Sequence, residues 1–427
     1  LSLLLSLLVP AQPNRSPDCG GILTPSGLSY FAEVSKPHTE AVLRQQLVAD
    51  SDLFASSSKP SRKQVSSVNV SRLALALVPH AGLRLSIDAD LGISSAPPAS
   101  KVVKKLSILA DLHVEMNLEG NMELVTSSCK PTLEGTGSST EEVERWSLSF
   151  AICLEVAKLL LSPNERLFSL TTQFPVTPSC QVQYVPLAVP MFSEQGIIIS
   201  LQTTFQVAGI PIPLPVSPVP FSMPEPGSSS PSHLILAFSE HFYTSLFFAL
   251  EIAGAFNMTL LSPLTTNTMA QKIPQMGSLF QEDVPVILQA VFRSSPRVEL
   301  EEGRAALKLF LTIHVGASPA AFQSFLSVSV VSVPWRCGHM PGVPQELAKC
   351  ALGARRALGT CPVRDAVLEE MFLPTIGREV PAQLNEVLSE GIFLPHISGF
   401  TYTDLSVAIH RDYVLVPCNL RLQERLG

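Results

Sequence analysis

The sequence predicts an α+β protein with two barrel-like halves, in each of which long curved antiparallel strands wrap around helices. Three observations predict this fold: apolar residues alternate over runs of about ten, four segments show helical spacing, and a proline-rich stretch divides the chain. The 427 residues exceed the usual limit of about 250–300 for a single core. The 36 prolines argue against a mainly helical bundle.

The strand pattern is clearest at residues 83–93, where apolar and polar side chains alternate almost without exception, as in a half-buried antiparallel strand. Residues 106–118 repeat this pattern, and a second run starting at Met122 predicts a long hairpin. Such strands are longer than the usual five or six residues, and a long sheet with one apolar face is expected to curve. Further alternating runs lie at residues 197–207 and 307–315.

Helical spacing predicts two helices in each half, packed against the apolar faces of the sheets. Pro37 is expected to kink the first of them. Residues 208–231 are rich in proline and serine, which predicts an extended linker between the halves. The four helical segments are residues 28–48, the region around 153–161, residues 242–256 and residues 367–388.

The N-terminal residues 1–11 resemble the end of a signal peptide, because an apolar run precedes small residues at positions 9 and 11. The alternative is an apolar N-terminus that arose by chance. No later segment reaches the roughly 18 apolar residues that a membrane span needs. We therefore expect a secreted, extracellular protein without a transmembrane segment.

The eight cysteines contain no C-x-x-C pair, which favours disulfides over a metal site in a secreted protein. The intervals between Cys337, Cys350 and Cys361 match no usual set of metal ligands, and the partners of these cysteines stay open. The partners of Cys19, Cys180 and Cys418 stay open as well. The sequons at Asn69 and Asn257 predict N-linked glycosylation.

The sequence lacks the local motifs of serine hydrolases, zinc proteases and nucleotide-binding enzymes, so we expect neither an enzyme nor a cofactor. The formal net charge of −7 is spread over both halves and does not favour binding to nucleic acid. A gap between a helix and a curved apolar sheet is suited to acyl chains. The alternative is that side chains fill this gap.

Two barrel-like halves, a proline-rich linker and a pair of cysteines, Cys129 and Cys153, on either side of the second N-terminal helix resemble the bactericidal/permeability-increasing protein family, which belongs to the tubular lipid-binding superfamily. Four stretches of the sequence resemble one member of this family more closely still. The resemblance covers nearly the whole chain and implies a boomerang of two barrels joined by a central sheet, with an apolar lipid pocket in each half. It also implies a disulfide between Cys129 and Cys153. The stretches are DCGGILTP at 18–25, AG at 208–209, PVSPVPFSMP at 215–224 and FTYTD at 400–404.

On this resemblance, residues 19–207 form the N-terminal barrel, residues 208–231 the linker and residues 232–427 the C-terminal barrel. Residues 334–363 depart from the family pattern, because alternation stops near residue 332 and a run rich in Gly, Arg and Cys follows. We interpret this segment as atypical and as a sign of an error in the gene model.

The leading hypothesis is a lipid-binding protein that holds phospholipid or another acyl lipid and acts in innate defence. Pro37 in the first helix and prolines 186 and 190 near a strand prevent close packing, which predicts a cleft between these elements. The alternative is a structural or antimicrobial protein of egg white or another extracellular fluid, with a closed pocket and no lipid. The predicted lining comprises Leu28, Phe31, Val34 and Val42 of the helix and Tyr184, Leu187 and Val189 near the strand.

The resemblance further implies contact with bacterial surfaces, because endotoxin-binding relatives use a cationic N-terminal tip. Residues 19–200 carry 14 Lys and Arg against 17 Asp and Glu, a net charge of −3. The one compact basic group is Lys101, Lys104 and Lys105. We therefore expect weak binding to endotoxin.

Overall fold

The structure is a computed structural model, and it has the α+β architecture that the sequence predicts. In the ranges given below, no helix is both long and apolar enough to cross a membrane. The described residues are 16–51, 63–95, 100–116, 122–134, 153, 156–160, 173–213, 215, 219, 221–224, 231–273, 282–317, 322–338, 351–352, 365–389, 391, 393–395 and 399–423.

A four-stranded antiparallel sheet, here the N-terminal sheet, has its strands in sequence order. The alternation is confirmed from Leu83 to Leu91 and from Leu106 to Val114, where every second side chain is buried on the inner face. Ile93 is half-buried, Met116 is 38% exposed, and residues 117–118 lie outside the described ranges. Register shifts at Val65/Ser67, Val70/Arg72 and Asp111/Leu112 interrupt the ladders, and such bulges bend a sheet. The strands are β2 (Lys63–Val78), β3 (Gly82–Ser95), β4 (Ser100–Met116) and β5 (Met122–Leu133).

The C-terminal sheet repeats this plan with five antiparallel strands in sequence order. Its fourth strand continues beyond residue 332, where alternation ends, because Pro334 still lies opposite Lys308 and Cys337 opposite Ala305. Hydrogen bonds to the neighbouring strand thus keep this segment extended, although its side-chain pattern does not predict a strand. Residues 339–350 and 353–364 lie outside the described ranges. The strands are β12 (Met258–Thr265), β13 (Pro285–Glu301), β14 (Arg304–Ala317), β15 (Gln323–Gly338) and β16 (Ala351–Leu352).

A third, central sheet of ten strands combines both ends of the chain, in the order β17-β19-β11-β1-β9-β7-β6. Strands β8 and β10 pair with β9, and β18 pairs with β19. The first strand lies between β9 and β11, so the two halves share one hydrogen-bonded sheet. The strands are β1 (Cys19–Leu23), β6 (Gln173–Thr177), β7 (Cys180–Pro186), β8 (Met191–Ser193), β9 (Gly196–Val207), β10 (Ile210–Pro211), β11 (Leu234–Ser239), β17 (Phe400–Thr403), β18 (Ala408–His410) and β19 (Tyr413–Leu422).

Three of the four predicted helices are confirmed: α1 (Pro25–Ser51), α2 (Glu240–Ile252) and α4 (Asp365–Leu388). In the region around residues 153–161, the described part includes a short 3-10 turn, Val156–Leu159. A further helix, α3 (Thr266–Lys272), is not predicted from the sequence; it is short, and its capping box joins residues 265 and 268.

Candidate functional site

Helix α1 begins at a cap formed by Thr24, whose hydroxyl accepts a hydrogen bond from the Gly27 amide at 3.1 Å. Pro25 occupies the first helical position, where its missing N–H costs no hydrogen bond. One face of the helix is buried at helical spacing and packs along β2 of the N-terminal sheet. The buried apolar residues of this face are Leu28, Phe31, Ala32, Leu43 and Leu47.

The first turns of α1 also contact strands from the C-terminal half of the chain. Tyr30 stacks on His233 with a centroid distance of 4.6 Å, and its hydroxyl accepts a hydrogen bond from the Leu422 amide at 3.1 Å. The ring of Phe31 lies 6.0 Å from that of Phe400 in β17. The N-terminal helix is therefore anchored on the opposite half.

The polar side chains on the inner side of α1 have hydrogen-bond partners. The fully buried Ser35 donates to the Phe31 carbonyl at 2.7 Å, and Thr39 donates to the Leu159 carbonyl at 2.5 Å. Glu40 Oε1 accepts a hydrogen bond from the Val70 amide at 2.8 Å, next to a register shift in β2. This contact satisfies an N–H that the irregular ladder leaves available.

The four helical residues of the predicted cleft lie together on α1. Leu28 and Phe31 are 2% and 1% exposed, whereas Val34 and Val42 are half-buried and pack against the same core. These four side chains therefore all contact the hydrophobic core, which includes residues of both halves.

The structure places the predicted strand residues beside α2 or in a surface loop. Tyr184 in β7 is fully buried, its ring lies 6.5 Å from that of Phe242 in α2, and its hydroxyl donates to the Phe393 carbonyl at 3.0 Å. Leu187 is half-buried, and Val189 is 47% exposed. Tyr184 thus lies beside α2, the first helix of the C-terminal half, because α2 packs on β9 and β9 is the neighbour of β7.

Helix α2 repeats the arrangement of α1 with the partners exchanged. Its cap Ser239 accepts a hydrogen bond from the Phe242 amide at 3.2 Å, and the Phe242 ring lies 6.4 Å from Phe205 in β9. Glu240 Oε2 accepts a hydrogen bond from the Leu300 amide of β13 at 2.8 Å. Burial raises the pKa of Glu240 above its ordinary value.

A buried carboxylate connects the two halves beside β1. Asp18 is 1% exposed, and it accepts hydrogen bonds from the Thr203 amide at 2.9 Å and from the Thr203 hydroxyl. Its carbonyl accepts a hydrogen bond from the Ser239 amide at 2.8 Å, and its Oδ2 lies 3.9 Å from His241 Nδ1. Burial and the nearby Asp18 raise the pKa of the Cys19 thiol. Sequence reasoning missed this cluster, since a single Asp before a strand carries no distinctive signal.

Helix α2 also carries buried polar atoms without hydrogen-bond partners among the described residues. These are the hydroxyl of Ser245, which is 1% exposed, and Oε2 of Glu251. Burial raises the pKa of Glu251. Unpaired buried polar atoms are uncommon, so this helix differs from α1 in a way that suggests a functional role.

The cysteines agree with the expected disulfide, because Cys129 in β5 is bonded to Cys153 with a Cα separation of 5.7 Å. Cys19, Cys180 and Cys418 are free and buried in the central sheet. Burial raises the pKa of Cys180 to about 11 and that of Cys418 to about 12, so these thiols are poor nucleophiles. Cys350 and Cys361 lie outside the described ranges.

The surface carries both predicted sequons in accessible positions. Asn69 on β2 and Asn257 at the start of β12 are exposed. Within the described ranges, no three His, Cys, Asp or Glu side chains form a group that could hold a metal ion.

The fold resembles that of a solved structure, "Crystal structure of lipopolysaccharide binding protein", with a TM-score of 0.54. The match covers 96% of this chain and 100% of that chain at 15% sequence identity, and it shows a common fold. The chain therefore has the two-barrel fold with a central sheet that the sequence analysis anticipated. No protein-family model matches the chain.

Comparison with curated proteins identifies relatives over the full length. Protein TENP of Gallus gallus is 54% identical over 445 residues, which covers 99% of both chains. BPI fold-containing family B member 2 of Homo sapiens is 25% identical over 99% of this chain and 98% of the human protein. The chain belongs to the family of protein TENP and the BPI fold-containing proteins.

Proposed function

We propose that the protein binds lipid by burying acyl chains against the apolar faces of helix and sheet. The observation that carries this proposal is the inner face of the N-terminal sheet, a continuous apolar surface beside which α1 packs. The match to lipopolysaccharide binding protein supports it, since that protein is named for binding a lipid-bearing molecule. Each buried methylene contributes about 0.8 kcal/mol, so a sixteen-carbon chain gains roughly 10 kcal/mol before ordering costs.

The proposed N-terminal site uses the four residues that line α1. Val34 and Val42 are half-buried and form the accessible margin, while Leu28 and Phe31 form its deeper wall. The second site lies beside α2, and Tyr184 forms part of its wall. In the proposal, Leu187 and Val189 remain at the rim of the N-terminal cleft that the sequence predicts, since Leu187 is half-buried and Val189 is 47% exposed. Each site thus combines a helix from one half with strands from both.

The second candidate function is a structural or antimicrobial role with closed pockets and no lipid. The low exposure of Leu28, Phe31 and Tyr184, at 2% or less, favours it. Side chains packed this closely must move before an acyl chain can enter. The two candidates therefore differ in whether the natural protein carries lipid.

The proposed setting is extracellular, with a role in innate defence and contact with bacterial surfaces. The apolar N-terminal residues, the disulfide and the exposed sequons Asn69 and Asn257 support secretion. We place the N-terminal half at residues 19–207, the linker at 208–231 and the C-terminal half at 232–427. The mechanism is reversible burial of a ligand, with no catalytic step.

Native mass spectrometry of the protein from its natural source, purified without detergent and freed of N-glycans, tests this proposal. We expect extra masses that disappear after extraction with organic solvent, and lipidomics of the extract identifies them. A mass equal to that of the polypeptide alone would instead favour the closed-pocket candidate.

A further inference from the structure

Glu251 occupies an unfavourable position for an acidic side chain. It lies in the last turn of α2, where the helix dipole disfavours negative charge, and that turn contains no basic residue. Its Oε2 is buried and lacks a hydrogen-bond donor among the described residues. Because burial also raises its pKa, the site as it stands does not favour the carboxylate.

A cluster of three aromatic rings lies near the end of this helix. Phe247 precedes Glu251 by one helical turn and therefore lies on the same face. Its ring is 6.0 Å from that of Phe256, which in turn is 5.6 Å from Phe292 in β13. Carboxylates and the faces of aromatic rings both attract cations, and here Glu251 and Phe247 share one face of the helix.

Helix α1 has the opposite charge at the corresponding position. Lys36 and Glu251 stand equally far along their helices from the caps Thr24 and Ser239. Lys36 is paired with Glu33 at 2.7 Å, within its own helix. The acidic side chain is thus a feature of the C-terminal half and not a requirement of the shared plan.

We propose that Glu251 binds the primary ammonium group of a cationic amphiphile whose chain lies against the apolar inner face of the C-terminal sheet. The oxygen lacks a donor, so the head group must supply an N–H, which a quaternary ammonium cannot do. This inference rests on the proposed lipid-binding function. The buried residues of that face include Leu288, Ala290, Leu309, Leu311, Ile313 and Val315.

Titration calorimetry on the delipidated full chain tests the proposal with three ligands: dodecylamine, dodecyltrimethylammonium and 1-dodecanol. We expect the protein to bind dodecylamine at least tenfold more tightly than either of the other two. Glu251→Gln should remove this preference and leave the affinity for 1-dodecanol unchanged. The matched control Glu194→Gln makes the same charge change at an exposed position and should keep the preference.

A second variant, Glu251→Lys, distinguishes a change of charge from a change in packing at this position. Glu251→Lys should reverse the preference, so that dodecanoate binds more tightly than dodecylamine. A preference for dodecylamine that survives in Glu251→Gln, or an equal loss of all three ligands, would overturn the inference. If 1-dodecanol binds but dodecylamine has no advantage, the inference fails and the lipid-binding function stands. Binding of none of the three would overturn both.

Discussion

The two halves of the molecule attach their first helices by the same plan, but to opposite partners. Helix α1 of the N-terminal half begins on β17 and β19, whereas α2 of the C-terminal half begins on β7 and β9. Each helix has a hydroxyl cap, and each accepts one strand N–H through a glutamate, Glu40 or Glu240. The contacts that attach each helix, here called its junction, therefore involve residues from both halves.

The halves differ in how completely the helix satisfies its polar groups. On α1, the buried Ser35 and Thr39 both have hydrogen-bond partners. On α2, Ser245 and Glu251 each have a buried atom without a partner in the described part of the chain. Among the described residues, α2 therefore leaves two buried polar atoms unsatisfied, which is uncommon in folded proteins, whereas the buried hydroxyls of α1 are paired.

The largest expected effect comes from removing the buried carboxylate of Asp18, which holds β9 close to the first turn of α2. Asp18→Ala removes the acceptor of the buried Thr203 amide and hydroxyl. An unsatisfied buried donor costs about 1–3 kcal/mol, so we expect the free energy of unfolding in urea to fall by about 3 kcal/mol. The control Asp90→Ala, on the outer side of β3, should change it by less than about 0.5 kcal/mol. Equal effects of the two variants would contradict a stabilising role of the buried Asp18.

The symmetry of the two junctions is tested by a matched pair, Glu40→Ala and Glu240→Ala. Each variant leaves one strand N–H without its acceptor, at Val70 or at Leu300. We expect each to lower the free energy of unfolding by about 1 kcal/mol in urea titrations. The corresponding Gln variants keep an acceptor and should lose less. A large effect at one position and none at the other would show that the two glutamates do not play equivalent roles.

A smaller effect is expected from the pH dependence of Glu251→Gln. Because burial raises the pKa of Glu251 above 4.5, the folded state holds this proton more tightly than the unfolded state. The carboxyl is therefore least favourable to folding at neutral pH, and its contribution improves as pH falls. Glutamine removes this cost, so the variant should melt at a higher temperature than the wild type at pH 7.

The difference in melting temperature should shrink as pH falls and vanish below the ordinary pKa of 4.5, where the unfolded state is protonated as well. Solvent screening keeps the effect small, since the side chain is partly exposed. Differential scanning calorimetry across this range measures it, with Glu194→Gln as the control. A lower melting temperature for Glu251→Gln at pH 7 would show that the carboxylate is stabilised by a contact.

Local sequence pattern predicted the sheets and three helices because burial on one face imposes a period of two or 3.6 on the side chains. It could not predict which distant strands pair in the central sheet, since that register depends on contacts such as Leu23 with Leu234. For the same reason, the sequence pattern predicts Tyr184 in a cleft with α1, whereas in the structure its ring packs near Phe242 of α2. In the sequence, Glu251 only interrupts an apolar stretch, and the burial of its Oε2 depends on tertiary contacts that the local pattern does not contain.

The central claim, that the helix–sheet boundary holds an acyl chain, is tested most directly by counting bound lipid in two arginine variants. Val42→Arg places a charge at the half-buried margin of α1, whereas Val103→Arg places it at a position that is 68% exposed. Both variants and the wild type are expressed in the same secreting cells, checked for folding by circular dichroism and analysed by lipid extraction. We expect the wild type and Val103→Arg to carry equal amounts of lipid and a folded Val42→Arg to carry little or none. Full lipid content in a folded Val42→Arg, or none in the wild type, would contradict the account.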